Sequence, residues 1–244
     1  MNILICLSAA RHPVSDRPAL SRLEAQAIGL ATRLDGRVTG LHAGPDGEAV
    51  REALGVGLSL VDHLAIGGGV DPLEALSARL RAEAPDLILA GRRGQGGEDS
   101  GLVPYCLAEA LDLPLIADAV AIETGPRPGT IRVDQALKKG DRRRITVKLP
   151  AIVTVHPLAP APAPFVFAAA RRGTIRTLPV LERHDRQDAH PGWNERPYRA
   201  RPKLMRTAAT PAGDPAGKLH VDPAPEEAAR LILDYLEKNG IRTF

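Results

Sequence analysis

The sequence contains few of the residues on which several classes of protein depend. Aromatic residues make up 3% of its 244 positions, so we do not expect a surface that stacks single-stranded bases on aromatic rings. Its two cysteines, Cys6 and Cys106, lie far apart and form neither a C-x-x-C redox pair nor a metal-binding cluster. We expect both to be buried as small hydrophobic residues.

The sequence also lacks a large charge imbalance and a long apolar run. Its net charge of +3 is too small to indicate a nucleic-acid partner. It contains no run of about 18 apolar residues that would predict a membrane-spanning helix. Residues 1–13, MNILICLSAARHP, predict a strand rather than a signal peptide. We therefore expect a cytoplasmic protein that neither binds nucleic acid nor inserts into a membrane.

Residues 86–114 combine a strand, a glycine-rich loop and a helix in that order. An apolar run at 87–90 predicts a buried strand, and apolar residues at helical spacing from Val103 predict the helix. The intervening loop holds five glycines: Gly91, Gly94, Gly96, Gly97 and Gly101. Unpaired amide groups at such a helix start suit a phosphate. The loop matches neither the Gly-Lys-Ser/Thr phosphate loop nor G-x-G-x-x-G, so a simple solvated connection is the alternative.

Strands and helices alternate through the first 114 residues. Ser21 and Glu24 have capping-box spacing, in which the serine bonds forward to the helix and the glutamate bonds back, so they predict the start of the first helix. The order indicates parallel strands joined by right-handed crossovers. The predicted strands are 2–7, 37–43, 61–66 and 87–90, and the predicted helices begin near 22, 48, 72 and 103.

The pattern changes after residue 114. Strands predicted at 115–122, 129–137 and 144–148 form an antiparallel excursion, and an apolar strand at 149–155 returns to the main sheet. A proline-rich loop and a polar tail follow, and a last amphipathic helix spans 225–239. We predict an α/β fold with a doubly wound, mostly parallel sheet, helices on both faces, an antiparallel hairpin excursion and an extended C-terminal tail that ends in a helix. The expected domains are 1–180 and 181–244.

Four segments together carry a resemblance to a known family. They are the small and apolar helix of 24–34, the Ala-Gly-Pro turn of 43–45 with the helix of 48–55, the strand, loop and helix of 85–114, and KLPAIVTV at 148–155. A basic hairpin precedes the last segment, and Ala170-Arg-Arg172 follows it. In this order the segments resemble the beta subunit of electron transfer flavoprotein.

The resemblance implies an adenine-nucleotide-hydrolase-like α/β domain that forms half of an alpha–beta heterodimer. In this family the alpha subunit holds most of the FAD, while the beta subunit helps to enclose the flavin and usually buries an AMP. Electrons arrive from a flavin dehydrogenase and leave to a membrane quinone oxidoreductase or a similar acceptor. The chain would then be an electron-carrier subunit rather than an enzyme, and its tail and last helix would pack on the partner subunit.

The resemblance also implies site residues. Nucleotide contacts carried over by position are Leu7, Ser8, Ala9, Ala43, Gly44, Gly96, Gly97, Glu98, Asp99, Ser100, Gly101, Leu102 and Val103. The family's Asn-Gln-Thr-Gly run is replaced here by Gly101-Leu-Val-Pro104, which leaves backbone N–H groups, Ser100 and Asp99 as the contacts and leaves AMP, another nucleotide or an empty site open. Arg92 and Arg93 would offset the acidic Glu98 and Asp99.

A partner-docking loop is expected near 156–172. Its residues would be Phe165, Phe167, Arg171 and Arg172, and packing between subunits is the alternative role for the two phenylalanines. Because phenylalanines replace the leucine that the family presents here, we expect a dehydrogenase other than the usual acyl-CoA dehydrogenase.

Two other functions compete with the resemblance. A nucleotide-binding regulatory module of the universal-stress-protein kind shares the parallel fold and glycine loop and would bind ATP as a homodimer, but it leaves the hairpin and tail unexplained. An enzyme using adenylate chemistry on this fold would need a positioned acid and base, a cysteine at a helix start or a histidine cluster, and the sequence shows none of these.

Overall fold

One mixed sheet organises the first of two structural units, Met1–Pro191, and Gly192–Phe244 forms the second. The computed structural model describes residues 1–12, 14–94, 100–180 and 223–240. The strands in these ranges are β1 (Asn2–Leu7), β2 (Ala10–Arg11), β3 (Pro18–Ala19), β4 (Arg37–Gly44), β5 (Leu60–Ala65), β6 (Leu87–Gly91), β7 (Leu115–Thr124), β8 (Thr130–Ala136), β9 (Arg142–Lys148), β10 (Ala151–Val155) and β11 (Thr174–Leu178).

The strands of the main sheet follow the order β11-β5-β4-β1-β6-β10-β7-β8-β9. All neighbours from β11 to β7 are parallel, whereas β8 pairs antiparallel with both β7 and β9. The predicted α/β class, the antiparallel excursion and the return of β10 into the parallel part are therefore confirmed. The chain first builds outward from β1 to β5 and then resumes on the other side of β1 with β6. A crevice at such a switch point is where open α/β sheets bind ligands.

Helices cover both faces of the sheet. The helices of this unit are α1 (Arg22–Ala31), α2 (Glu52–Gly55), α3 (Leu73–Glu83), α4 (Val103–Leu111) and α5 (Phe167–Arg172), with 3₁₀ turns at Gly47–Val50 and Lys138–Gly140, whereas α6 (Pro225–Lys238) belongs to the second unit. Alternate residues of β1 explain the two cores: Ile3 and Ile5 pack with α1 on one face, and Leu4 packs with α3 and α4 on the other. A strand buried on both faces is mostly apolar, as residues 3–7 of β1 are.

Besides the short strands β2 and β3, two elements near the end of the first unit were absent from the sequence-based prediction. Residues 156–180 were assigned no helix or strand, yet α5 and β11 form there and β11 pairs in parallel with β5. The reason is a long-range ion pair: Arg176 donates two bonds of 2.9 Å to the buried carboxylate of Asp62, which also lies 3.3 Å from Arg79 of α3. Local periodicity carries no trace of a partner 114 residues away.

The two cysteines are partly buried free thiols. Cys6 packs against the core on the α3 and α4 face, and burial, with the Glu24 carboxyl as a lesser cause, raises the pKa of its thiol to about 12. The prediction that both are buried is therefore only partly right, since each keeps some exposed surface. A thiol with so high a pKa is not a nucleophile at neutral pH.

The second unit contains α6, which is described here by itself. The helix predicted at 225–239 is confirmed, with Pro225 at its first turn and the acidic pair Glu226 and Glu227 beside it. Its apolar residues Ile232, Leu233 and Tyr235 are exposed on the chain. Within the described residues, no helix combines the length and apolar content needed to cross a bilayer. The predicted packing of the tail on a partner stays a prediction, since 181–222 lies outside the described residues.

Candidate functional site

The sheet brings three of the predicted nucleotide-contact segments to one edge. Because β1, β4 and β6 are parallel neighbours, residues 7–9, the end of β4 and the loop after β6 all lie at their carboxyl ends. The first and third of these adjoin directly: a Cβ at Gly94 would lie 3.7 Å from Oγ of Ser8. The predicted clustering is therefore present for the part of the loop that is described.

Two glycines allow the loop to fold back on itself. Gly101 has φ +72°, and a Cβ there would lie 2.6 Å from the carbonyl oxygen of Arg92. A Cβ at Gly91 would lie 3.0 Å from the carbonyl oxygen of Arg93 and 3.1 Å from Cβ of Leu23. Gly101 has no room for a side chain and Gly91 has little, so close backbone approach favours glycine at both positions. Gly96, Gly97, Glu98 and Asp99 lie outside the described residues, and their contacts stay predictions.

The start of α4 borders this loop and is open. The Ser100 hydroxyl accepts a hydrogen bond of 3.3 Å from the Leu102 N–H, but no side chain caps the helix itself. Pro104 in the first turn has no N–H, so the amide of Val103 is the group that the helix start presents. The positive end of the helix dipole and an uncapped amide favour an anion here.

Two stacked histidines support the edge formed by β1 and β4. Nδ1 of His42 donates to the Leu7 carbonyl oxygen at 3.0 Å, and Nε2 of His63 donates to the Gly44 carbonyl oxygen at 2.8 Å. The ring centroids are 5.6 Å apart. Burial lowers the pKa of His42, so its ring is neutral. The carbonyl oxygens of Leu7 and Gly44 thus already accept hydrogen bonds from the two histidines. The predicted nucleotide contacts of Leu7, Ala43 and Gly44 would therefore use other atoms of these residues.

Sequence reasoning missed the group closest to the predicted site, the carboxyl of Glu24. The expected capping box is half wrong: the Glu24 N–H donates to Ser21 Oγ at 3.2 Å, but the Glu24 side chain does not bond back to Ser21. Its Oε1 instead accepts from the Ser8 N–H at 3.0 Å and from the Ser8 hydroxyl at 2.5 Å. Glu24 is 2% exposed, and Oε2 is buried without a hydrogen-bond partner.

Burial controls the ionisation of this group. It raises the pKa of Glu24 to about 8, although the two hydrogen bonds from Ser8 oppose the increase. The carboxyl is therefore neutral at pH 7. A glutamate in the first turn of a helix already has a local explanation as a cap, and this is why its long-range contact with Ser8 gave no signal in the sequence.

The predicted counter-charge role of Arg92 toward Glu98 and Asp99 stays a prediction, because those two residues lie outside the described residues. Its guanidinium lies 3.3 Å from the carboxylate of Asp118, a residue of β7. Asp118 reaches this position because β7 has an irregular register beside β10, where the Asp118 N–H donates to Thr154 Oγ1 at 3.0 Å. Arg92 is thus paired within the described residues, while any contact with Glu98 or Asp99 lies outside them.

The predicted docking residues lie on and before α5. The Phe165 ring packs on Gly55, where a Cβ would overlap it, and the Val166 N–H donates to the Gly55 carbonyl oxygen at 2.8 Å. Phe165 is 51% exposed and Phe167 is 68% exposed. Both line a groove of about 210 Å³ with Arg171, whereas Arg172 is exposed outside it. Phe165 therefore has a structural contact in its own chain, and Phe167 is the more available of the two.

A buried glutamine fixes the loop that leads to these phenylalanines. Gln26 of α1 is 1% exposed, and its Nε2 donates to the Ala159 carbonyl oxygen at 2.6 Å. The carbonyl oxygens of Pro157 and Pro160 lie 3.2 and 3.3 Å from the same nitrogen. Prolines have no backbone N–H, so this loop can donate few hydrogen bonds of its own to the rest of the protein. The Gln26 side chain instead donates to the carbonyl oxygens of the loop and holds the loop in place.

The residues at the carboxyl edge fit a nucleotide phosphate. They provide a glycine cradle with little room for side chains, an uncapped helix start and a buried acid with one unpartnered oxygen. By contrast, the described residues contain no group of three or more His, Cys, Asp and Glu side chains that would hold a metal ion.

Comparison with known proteins shows the family of the chain. The model of the electron transfer flavoprotein domain matches residues 14–182. A protein of Chromohalobacter salexigens named electron transfer flavoprotein subunit beta is 35% identical over 258 aligned residues, which cover 99% of this chain and 96% of that protein. The similarity therefore extends from the first strands to the C-terminal segment.

Proposed function

The chain belongs to the electron transfer flavoprotein family as a beta subunit, and on that premise we propose that it pairs with an alpha subunit and helps to hold FAD at the interface. The observation that carries this proposal is the similarity over nearly the whole chain, at 35% identity, to a protein named as that subunit. The flavin, when bound, supplies the redox chemistry. The role of this chain is to bind and to enclose it.

A regulatory module of the universal-stress-protein kind is not supported. That hypothesis left the hairpin and the tail unexplained. The hairpin lies within the family match of 14–182, and the similarity to a protein named as the beta subunit covers 99% of the chain, so it includes the tail. The hairpin is an extension of the main sheet: the Asp134 carboxylate of β8 accepts bonds of 2.6 and 2.8 Å from Arg144 of β9. The electron-carrier function accounts for these parts, and we propose no catalytic role for the chain.

A nucleotide at the carboxyl edge is the second part of the proposal. The uncapped start of α4 and the glycine cradle at Gly91 and Gly101 would hold its phosphate through backbone N–H groups. AMP is the nucleotide that the family resemblance implies. Its expected contacts are those carried over by position, with Ser8, Ser100 and Val103 placed at the edge in the described structure.

The electron partners are a third part. We propose that a flavin dehydrogenase docks on the groove beside α5, with Phe167 and Arg171 as its contacts, and that a quinone oxidoreductase or a similar acceptor receives the electrons. Exposed aromatic and arginine side chains are the residues that most often dominate such interfaces. The proposed compartment is the cytoplasm.

Co-expression with an alpha subunit tests the pairing and the flavin together. The isolated chain should be colourless, and the purified pair should elute as one complex with the visible absorption of oxidised flavin. A complex that forms but lacks flavin would contradict the redox function while leaving the pairing intact. Failure of the two chains to associate would contradict the proposal as a whole.

A further inference from the structure

Glu24 and Ser8 lie directly beneath the glycine loop. A Cβ at Gly91 would be 3.7 Å from Cγ of Glu24, and a Cβ at Gly94 would be 3.7 Å from Oγ of Ser8. The pair thus lies beside both ends of the described segment from Gly91 to Gly94. Because both of these residues are glycine, they place no side chain between the backbone and the pair.

The free oxygen of Glu24 sets the chemistry of this contact. Oε1 is occupied by the two hydrogen bonds from Ser8, whereas Oε2 is buried and has no partner. Buried polar atoms in folded proteins are nearly always hydrogen-bonded, so the partner of Oε2 has to come from a ligand or a water rather than from the described residues. In the neutral acid Oε2 carries a proton and is a donor, and its partner must therefore be an acceptor.

Within the described residues, no cation forms an ion pair with Glu24 that would favour its ionised form. Helix α1 packs against β1, β6, β7 and β10. The titratable residues of these strands are Cys6 on β1 and Asp118 and Glu123 on β7, while β6 and β10 have none. Of the arginines that follow β6, Arg92 is paired with Asp118. No ion pair joins Glu24 to a cation of the described residues.

We propose that Glu24, as a neutral acid, donates a hydrogen bond from Oε2 to the phosphate of the nucleotide bound at this edge, and that ionised Glu24 repels it. The nucleotide then binds only to chains that carry a proton on Glu24. This inference rests on the nucleotide site proposed above and assigns a positioning residue that makes binding depend on pH. A phosphate fits because its oxygens are acceptors only, and a buried carboxylate beside it would place two negative charges together without compensation.

The size of the effect follows from the fraction of neutral acid. With a pKa of about 8, most Glu24 is neutral at pH 7 and roughly one tenth is neutral at pH 9. Because the apparent dissociation constant rises as the competent fraction falls, the affinity should weaken about tenfold between these pH values. A glutamine at this position keeps the shape and a donor at every pH, so the Glu24→Gln variant should lose the pH dependence.

AMP binding to the nucleotide-depleted complex with the alpha subunit tests this inference. Titration calorimetry at pH 7 and pH 9 compares the unmodified complex with Glu24→Gln and with Glu109→Gln, an exposed glutamate on α4 that serves as the matched control. The ionisation of AMP itself is common to all three proteins. The ratio of dissociation constants at the two pH values is the quantity compared, and the flavin spectrum reports whether each complex is intact.

The expected result is a ratio of about ten for the unmodified complex and for Glu109→Gln, and a ratio near one for Glu24→Gln. Equal ratios in all three complexes would overturn the role of Glu24 while leaving the nucleotide site in place. If AMP bound to none of them at either pH, the nucleotide site itself would be wrong, and the inference would fail with it. Should Glu24→Gln not assemble, the unmodified complex still decides: a ratio near one overturns the inference.

Discussion

The hydroxyl of Ser8 lies 2.5 Å from Oε1 of Glu24, at the carboxyl end of β1 and in the first turn of α1. The pair places an ionisable group in the crevice where the sheet reverses its direction of growth. Burial raises the pKa of the Glu24 carboxyl to about 8. The stability of the fold should therefore depend on pH through this carboxyl.

Replacing Glu24 by glutamine should change the pH dependence of stability. The unfolded carboxyl ionises near 4.5 and the folded one near 8, so the folded state holds more protons between these values. The free energy of unfolding then falls as pH rises, by up to about 1.4 kcal/mol per unit from this group. Urea unfolding of the complex measures this loss between pH 5 and pH 8. The unmodified protein should lose about 3 kcal/mol more unfolding free energy over this range than Glu24→Gln. Parallel curves for the two proteins would show that Glu24 ionises normally.

Gly101→Ala should remove the nucleotide without preventing assembly. The new Cβ would meet the Arg92 carbonyl oxygen at 2.6 Å and push the loop away from the start of α4. Gly129→Ala is the matched control, because Gly129 has nearly the same φ, +71°, but no atom within 4 Å of an added Cβ. Both variants carry the backbone strain of about 1 kcal/mol that alanine has at positive φ. We expect AMP affinity to fall at least about tenfold in Gly101→Ala alone. Full nucleotide occupancy in both would mean that the loop is not the site.

Phe167→Ala separates docking from subunit packing. Phe167 is 68% exposed on the chain, so the variant should keep the stability and the heterodimer if the residue docks a dehydrogenase. Phe165→Ala should instead cost about 1 kcal/mol of stability, because its ring packs on Gly55. Size-exclusion chromatography and thermal unfolding of the co-expressed pair distinguish the two, with Leu158→Ala as an exposed control from the same loop. Dissociation of the pair in Phe167→Ala would assign this residue to the subunit interface.

Arg176→Met should loosen β11. Asp62 is fully buried, and without Arg176 only Arg79, at 3.3 Å, remains to compensate its charge. Removing one member of a buried ion pair costs about 3–5 kcal/mol, and the half-exposed position of Arg176 and the presence of Arg79 reduce this to about 2 kcal/mol. Arg171→Met, on the exposed side of α5, should change stability by less than about 0.5 kcal/mol. Hydrogen exchange should accelerate at β11 first; uniform exchange across the sheet would contradict the local effect.

The features predicted correctly from sequence are those that local pattern determines. The apolar run of β1 predicts a central strand because strands covered on both faces are mostly apolar. The glycine loop between β6 and α4 was predicted because Gly101 and Gly91 lie where the backbone has little or no room for a side chain. Their spacing along the chain therefore carries the information.

The features that were missed depend on contacts between distant residues. β11 is anchored by Arg176 on Asp62, and the acid of the site depends on Ser8, which lies 16 positions before Glu24. Hydrophobic periodicity reports only which face of an element is buried. It does not report which buried polar residue meets which partner, and for this reason Glu24 was assigned to a cap.

The most direct test of the flavin-carrier function is the quantity of each nucleotide held by the complex with an alpha subunit. The co-purified complex is denatured, and the released nucleotides are identified and counted by chromatography against the protein concentration. We expect one FAD and one AMP for each heterodimer. A complex that releases no FAD would contradict the flavin-carrier function. A complex that releases FAD but no AMP would contradict only the nucleotide site proposed at the carboxyl edge.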